Sequence, residues 1–144
     1  MCLATILVMA APALAFATPS VAAQSTASAT NLGLDGRGSA STHIVKVAEL
    51  SLSTGATNGL TVSITSGSMT KPGGAPVVFQ VALVDHNAAA PSTSAFNAAS
   101  GIPYMLATHA VTAVVKDLYI KYTPAPFQDP GAYAASVDID VGDN

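Results

Sequence analysis

The sequence predicts an all-β chain folded as an antiparallel β-sandwich of six to seven strands. Three observations carry that expectation. Half of the 144 residues are hydrophobic and only 9% are charged. The apolar content is mostly small or β-branched, which suits a pleated, half-buried surface. From residue 41 onward, stretches of period-2 alternation recur, and clusters of Gly, Pro, Asn and Ser separate them at sandwich spacing. A chain of this length is expected to form one domain.

Residues 1–23, MCLATILVMAAPALAFATPSVAA, carry no charge, and the first charge in the chain is Asp35. An apolar stretch ending in small residues reads as a secretory leader, with cleavage expected after Ala23 and a rival cut after Ala17. A basic n-region is missing, and Pro12 and Pro19 interrupt a stretch already marginal for spanning a membrane. Cys2 is the sole cysteine, so leader removal would leave a chain without disulfides, stabilised by core burial alone. The roughly 120 remaining residues are enough for that, since such chains bury about two-thirds of their unfolded surface. Residues 24–40, QSTASATNLGLDGRGSA, read as a flexible arm, with Leu32 and Leu34 as its only anchors. The sandwich is expected over residues 41–144.

Within it, THIVKVAELSL sets His43, Val45 and Val47 on one face and Ile44, Lys46 and Ala48 on the other. A turn at Gly55, Asn58 and Gly59 leads into a strand with Leu60, Val62 and Ile64 inward and Thr61, Ser63 and Thr65 outward. After the turn cluster SGSMTKPGGAP, the segment VVFQVALVD is apolar on both faces, which predicts a central strand. A long loop follows, with Phe96 as its anchor and a short helix between Thr93 and Ala99 capped by Thr93 or Ser94. The next stretch holds two strands; in the second, Leu118, Ile120 and Tyr122 oppose Asp117, Tyr119 and Lys121. PAPFQDPG is too proline-rich for a central strand.

The last strand is expected to place Tyr133, Ala135, Val137, Ile139 and Val141 on its core face, directly after a Pro-Gly turn. The spacing Asp129, Gly131, Tyr133 resembles the tyrosine corner of immunoglobulin-like sandwiches, in which the phenol bonds back to the turn. These three residues are therefore structural candidates.

The segments VAELSLSTGATNGLTVSITSGSMT and DLYIKYTPAPFQDPGAYAASVDIDVGDN resemble small exported bacterial sandwich proteins, the spore-coat-U-like and fimbrial subunits. The resemblance spans about a third of the chain and rests on generic sandwich patterns. It implies a structural or adhesive role and transfers no catalytic residue. Those families commonly carry cysteines, and the related Trp-x-Leu surface domains need a tryptophan; this chain has neither in its expected mature part.

Composition narrows the function further. A net charge of −3 with five Lys plus Arg and no basic run gives no nucleic-acid footprint and no polybasic membrane patch. His43, His86 and His109 stand at no metal-ligand spacing from one another. Asp85, His86 and Asn87 bring an acid, an imidazole and an amide together at a strand end, as a metal or base site or simply a solvated turn. Asp138, Asp140 and Asp143 offer hard oxygens for calcium, but they fit no calcium-loop motif, and alternation points Asp138 and Asp140 to solvent. No Gly-x-Ser-x-Gly elbow supports acyl transfer. Tyr119 alone does not make a sugar platform in a chain with 6% aromatics. No cofactor is expected. The sequence points to a secreted or cell-surface bacterial protein, a non-enzymatic structural or adhesive subunit that associates with itself or with another surface protein. The alternative is a secreted module binding carbohydrate or calcium.

Overall fold

The computed structural model describes residues 18–30, 32–34, 40–109 and 113–144. Residues 1–17 of the expected leader lie outside that set. Eight strands are present among the described residues: β1 (Ser20–Ser25), β2 (His43–Ser53), β3 (Leu60–Thr65), β4 (Ser68–Met69), β5 (Val77–Asp85), β6 (Pro103–Thr108), β7 (Val114–Tyr122) and β8 (Asp138–Asp143). They form a five-stranded sheet in the order β1-β2-β7-β5-β4 and a three-stranded sheet in the order β6-β3-β8, with every pairing antiparallel. The inward side chains of both sheets merge into one core: Leu50, Leu52, Phe79, Val81, Leu118 and Ile120 from the larger sheet, Leu60, Val62 and Ile64 from the smaller. The fold is an all-β antiparallel sandwich.

Strand β2 departs from simple alternation. Its register against β7 slips between Lys46 and Ala48, so that Val45 faces Ile120 and Ala48 faces Leu118. Val47 is the extra residue of a β-bulge, which reverses the parity of everything after it. The core face is therefore His43 and Val45 before the bulge, and Ala48, Leu50 and Leu52 after it. Val47 packs against the core, on the side expected of it with His43 and Val45; the correction falls on Ala48, which turns to the core instead of joining Ile44 and Lys46 on the outer face.

Strand β5 is also less enclosed than its two apolar faces suggest. Only Val77 and Val78 pair with the two-residue β4, and Val78 is left 59% exposed. From Phe79 to Asp85 its hydrogen-bonded neighbour is β7. Its outer face is covered instead by the loop that follows. Phe96 and Ala98 are buried there, and the Gln80 amide donates to their carbonyl oxygens at 3.2 and 2.7 Å. The expected helix in this loop is a single 3-10 turn, Thr93–Ala95, whose N-cap Ser92 makes no side-chain capping bond.

The last strand starts at Asp138, not at Tyr133. Residues 131–137 run alongside the core without pairing, except for an isolated bridge between Ala134 and Thr70. Tyr133 and Val137 still pack against the core from this segment. The correction has a plain cause: Ala134 is recruited by the outer edge of β4, so the chain cannot yet lie beside β3.

Gly59 closes the β2–β3 connection with φ +87°, and a Cβ there would collide with the Thr108 backbone. Gly59→Ala is expected to destabilise the fold by at least about 2 kcal/mol, read as a lowered urea midpoint with an unchanged m-value.

Candidate functional site

The bulge in β2 builds the most concentrated group of ionisable side chains. In an uninterrupted strand, Lys46 and Glu49 would point to opposite sheet faces. The extra residue brings both to the outer face, opposite Tyr119 and Asp117 of β7. Asp117 sits in the central strand of the larger sheet and is 1% exposed. The Lys46 ammonium lies 2.8 Å from Glu49 Oε1 and 2.9 Å from Asp117 Oδ1. His86 Nδ1 is 2.9 Å from the same Asp117 oxygen, and the Asn87 amide donates to Asp117 Oδ2 at 3.1 Å.

The turn that delivers His86 and Asn87 is locally encoded. Ala88 N donates to Asp85 O at 3.0 Å, and Asn87 takes φ 62°, the left-handed conformation that asparagine tolerates well at the third position of such a turn. Asp85 itself pairs with Lys116, on the opposite face of the sheet. Thus the sequence cluster Asp85, His86, Asn87 does not act as a unit. His86 and Asn87 serve Asp117, and Asp85 does not.

Burial works against the Asp117 charge, but the hydrogen bonds from His86, Lys46 and the Asn87 amide outweigh it and hold its carboxyl below the usual carboxylate range. Lys46 is raised above its ordinary value, first by its bond to Glu49 and then by its bond to Asp117. Glu49, His86 and Asp117 each offer one ligand atom within 4.8 Å of the others, the only such group among the described residues. A divalent cation does not fit this set as it stands. The Lys46 ammonium already bridges the two carboxylates, and both oxygens of Asp117 are engaged. The group is a hydrogen-bonded ion network that clamps the turn after β5 onto the outer sheet face.

The acidic tail is arranged differently. Asp138 and Asp140 are exposed on the outer face of β8, beside Thr65 and Ser63. Asp143 accepts a hydrogen bond from Thr54, and Asn144 N donates to Gly59 O at 3.0 Å. The three aspartates do not converge on one point, and the chain end stitches β8 to the loop before β3.

At the third set of candidates, the Tyr133 hydroxyl donates to the Asp129 carbonyl at 3.2 Å, across the turn containing Gly131. It also accepts from Gln128 Nε2 at 2.7 Å. Gln128 is buried, and the same amide nitrogen reaches Ala75 O at 2.7 Å while its oxygen accepts from Ala125 N. Asp129 adds a bond from the Ala75 amide at 3.3 Å. This corner ties the crossover to the loop after β4. Gln128 is its hub, and nothing in the sequence pattern distinguishes it from a loop glutamine. His43 stacks on Tyr122 with ring centroids 5.1 Å apart, and His109 lies at the exposed end of β6. Tyr119 lies on the outer face opposite Lys46.

An apolar crevice of about 300 Å³ lies between the sheets, lined by Val47, Phe79, Ile120 and Ile139 and roofed by Ala29 and Leu32. No charged side chain lines it. No family model matches the chain, and neither the curated proteins nor the solved structures include one similar to it.

Two outcomes follow from these networks. Asp117→Ala is expected to cost about 3 kcal/mol, because it strips a buried hub from three donors. The folded pKa of Asp117 lies below its unfolded value, so its contribution is complete above the ordinary carboxylate range and fades as pH falls through the folded pKa. The stability gap between the wild type and Asp117→Ala should therefore shrink only at strongly acid pH, as read by urea titration at stepped pH. For the corner, Tyr133→Phe is expected to lose about 1 kcal/mol, and Gln128→Ala more, since that change orphans Ala125 N and Ala75 O together.

Proposed function

We propose that this chain is an exported, non-enzymatic structural subunit that assembles through an edge of its sandwich. The reading is carried by the β6 edge, set against those of β4 and β8. The β4 edge is two residues long, is bridged by Ala134, and is followed by Lys71 and Pro72. The β8 edge carries exposed Asp138 and Asp140, whose charge opposes strand addition. β6, PYMLAT, has no charge, and it exposes Met105 at 59%, next to Ile102 at 58%. An uncharged edge with apolar side chains in solvent is a template for another strand. Its single obstacle is Pro103, at the first position, where proline is tolerated. On the outer face of the smaller sheet, the Ser and Thr side chains of β3 are neutral, and the charges of Asp138 and Asp140 lie on β8, the edge away from β6. The alternative reading, binding of a ligand, is favoured by the crevice, whose lining suits a small neutral apolar molecule better than a sugar or calcium.

The exported product is expected to run as oligomers in light scattering after size exclusion, unchanged by calcium or chelator. Met105→Lys should shift it toward monomer with little loss of stability, since the side chain is exposed. A monomeric wild type at high concentration would overturn the reading. Saturable uptake of an apolar fluorophore by that monomer would then favour the crevice.

A further inference from the structure

Strand β1 runs across the bond at which the leader is expected to end. Ser20, Val21, Ala22 and Ala23 pair with Ser53, Leu52, Ser51 and Leu50, and Gln24 and Ser25 continue to Glu49 and Ala48. The ladder goes on through Thr26 N to Val47 O at 2.9 Å, and the Thr26 hydroxyl reaches Lys46 O at 2.8 Å. Ser20 Oγ meets Ser53 Oγ at 2.7 Å at the far end. Hydrolysis after Ala23 would remove four of these six strand residues and leave the β2 edge unpaired from Leu50 to Ser53. Leu50 and Leu52 are fully buried there, and Val21 packs on the same core.

The sequence holds a second small-x-small site six residues earlier, Ala15-Phe16-Ala17, which meets the requirement of a leader peptidase at the two positions that matter. A cut there leaves Thr18 and Pro19 ahead of an intact β1. We propose that the Ala17–Thr18 bond is the processing site of this chain. Water hydrolyses the amide, Ala17 leaves with a new carboxylate on the leader, and Thr18 keeps the nitrogen as the new α-amino group. The mature sandwich then retains all five strands of its larger sheet. This inference rests on the export reading above and adds to it the bond that is cut.

The test is to express the full chain in a bacterial host, alone and behind a short Lys-rich extension, and to determine the N-terminus and intact mass of the exported product. A product beginning at Thr18 is expected. A product beginning at Gln24 would overturn the site while leaving export standing, and an uncut chain from both forms would overturn both. Ala17→Phe, which blocks the position before the bond, should accumulate precursor or give a product with a different N-terminus. A product of unchanged N-terminus and mass from that variant would overturn the assignment.

Discussion

The extra residue at Val47 is the constraint on which most of this molecule depends. A strand with strict alternation would carry one side of its sequence to the core for its whole length. The bulge lets β2 change sides, so that His43 and Val45 reach the core from one half, and Ala48, Leu50 and Leu52 from the other. It also turns Lys46 and Glu49 onto one face, where they meet Asp117. Its backbone does a second job, because the carbonyls of Lys46 and Val47 receive the Thr26 hydroxyl and amide and fix the arm after β1. A local irregularity in one strand thus sets the core register, the outer charge network and the path of the N-terminal arm.

The Asp117 network illustrates how a buried charge is tolerated. A carboxylate taken out of water with one partner is a poor trade, because desolvation offsets the Coulomb gain. Here its oxygens receive three donors from two separate parts of the chain: Lys46 of β2, and the His86 ring and Asn87 amide of the turn after β5. The gain is largely geometric, since the donors can all be satisfied only when the β2 bulge and the turn at His86 are in place together. Such a network favours one arrangement of the outer face over its neighbours more than it adds to stability. Its lysine also explains why a group with metal-ligand composition behaves as structure.

How much of this was legible depended on which signal each element carried. β3 and β7 alternate strongly, and their faces follow directly from Leu60, Val62, Ile64 and from Leu118, Ile120, Tyr122. β1 was hidden because SVAAQS has small side chains, of which only Val21 is partly buried; its strand character comes from pairing with β2, not from its own pattern. The bulge was hidden for a related reason, since VKVAEL reads as acceptable alternation in either parity. Asp117 could be placed on the outer face by period, but its burial is a property of the turn that covers it. Gln128 owes its role wholly to tertiary context. Local pattern thus revealed strands that bury one face, and it could not reveal strands or polar groups recruited by their neighbours.

That distinction bears on how the sandwich behaves at its margins. The elements with weak sequence signal, β1, the arm at residues 26–30 and 32–34 and the corner around Gln128, are those that close the gap between sheets of five and three strands. The unequal sheets leave the inner face of the larger one only partly covered by strands, and the rest of the cover is made by segments rather than by a fourth or fifth strand of the smaller sheet. The arm is held by Thr26 and by the Tyr122 hydroxyl, which donates to Gly33 O at 3.0 Å, while Leu32 and Leu34 supply its apolar contact. These are few attachments for so long a cover. Local opening should therefore begin at the arm and expose the crevice beneath it before any strand of the central ladder separates. The order follows from burial: β2, β5 and β7 are joined by long registers, interrupted only at the Val47 bulge, over buried side chains, and the arm is not.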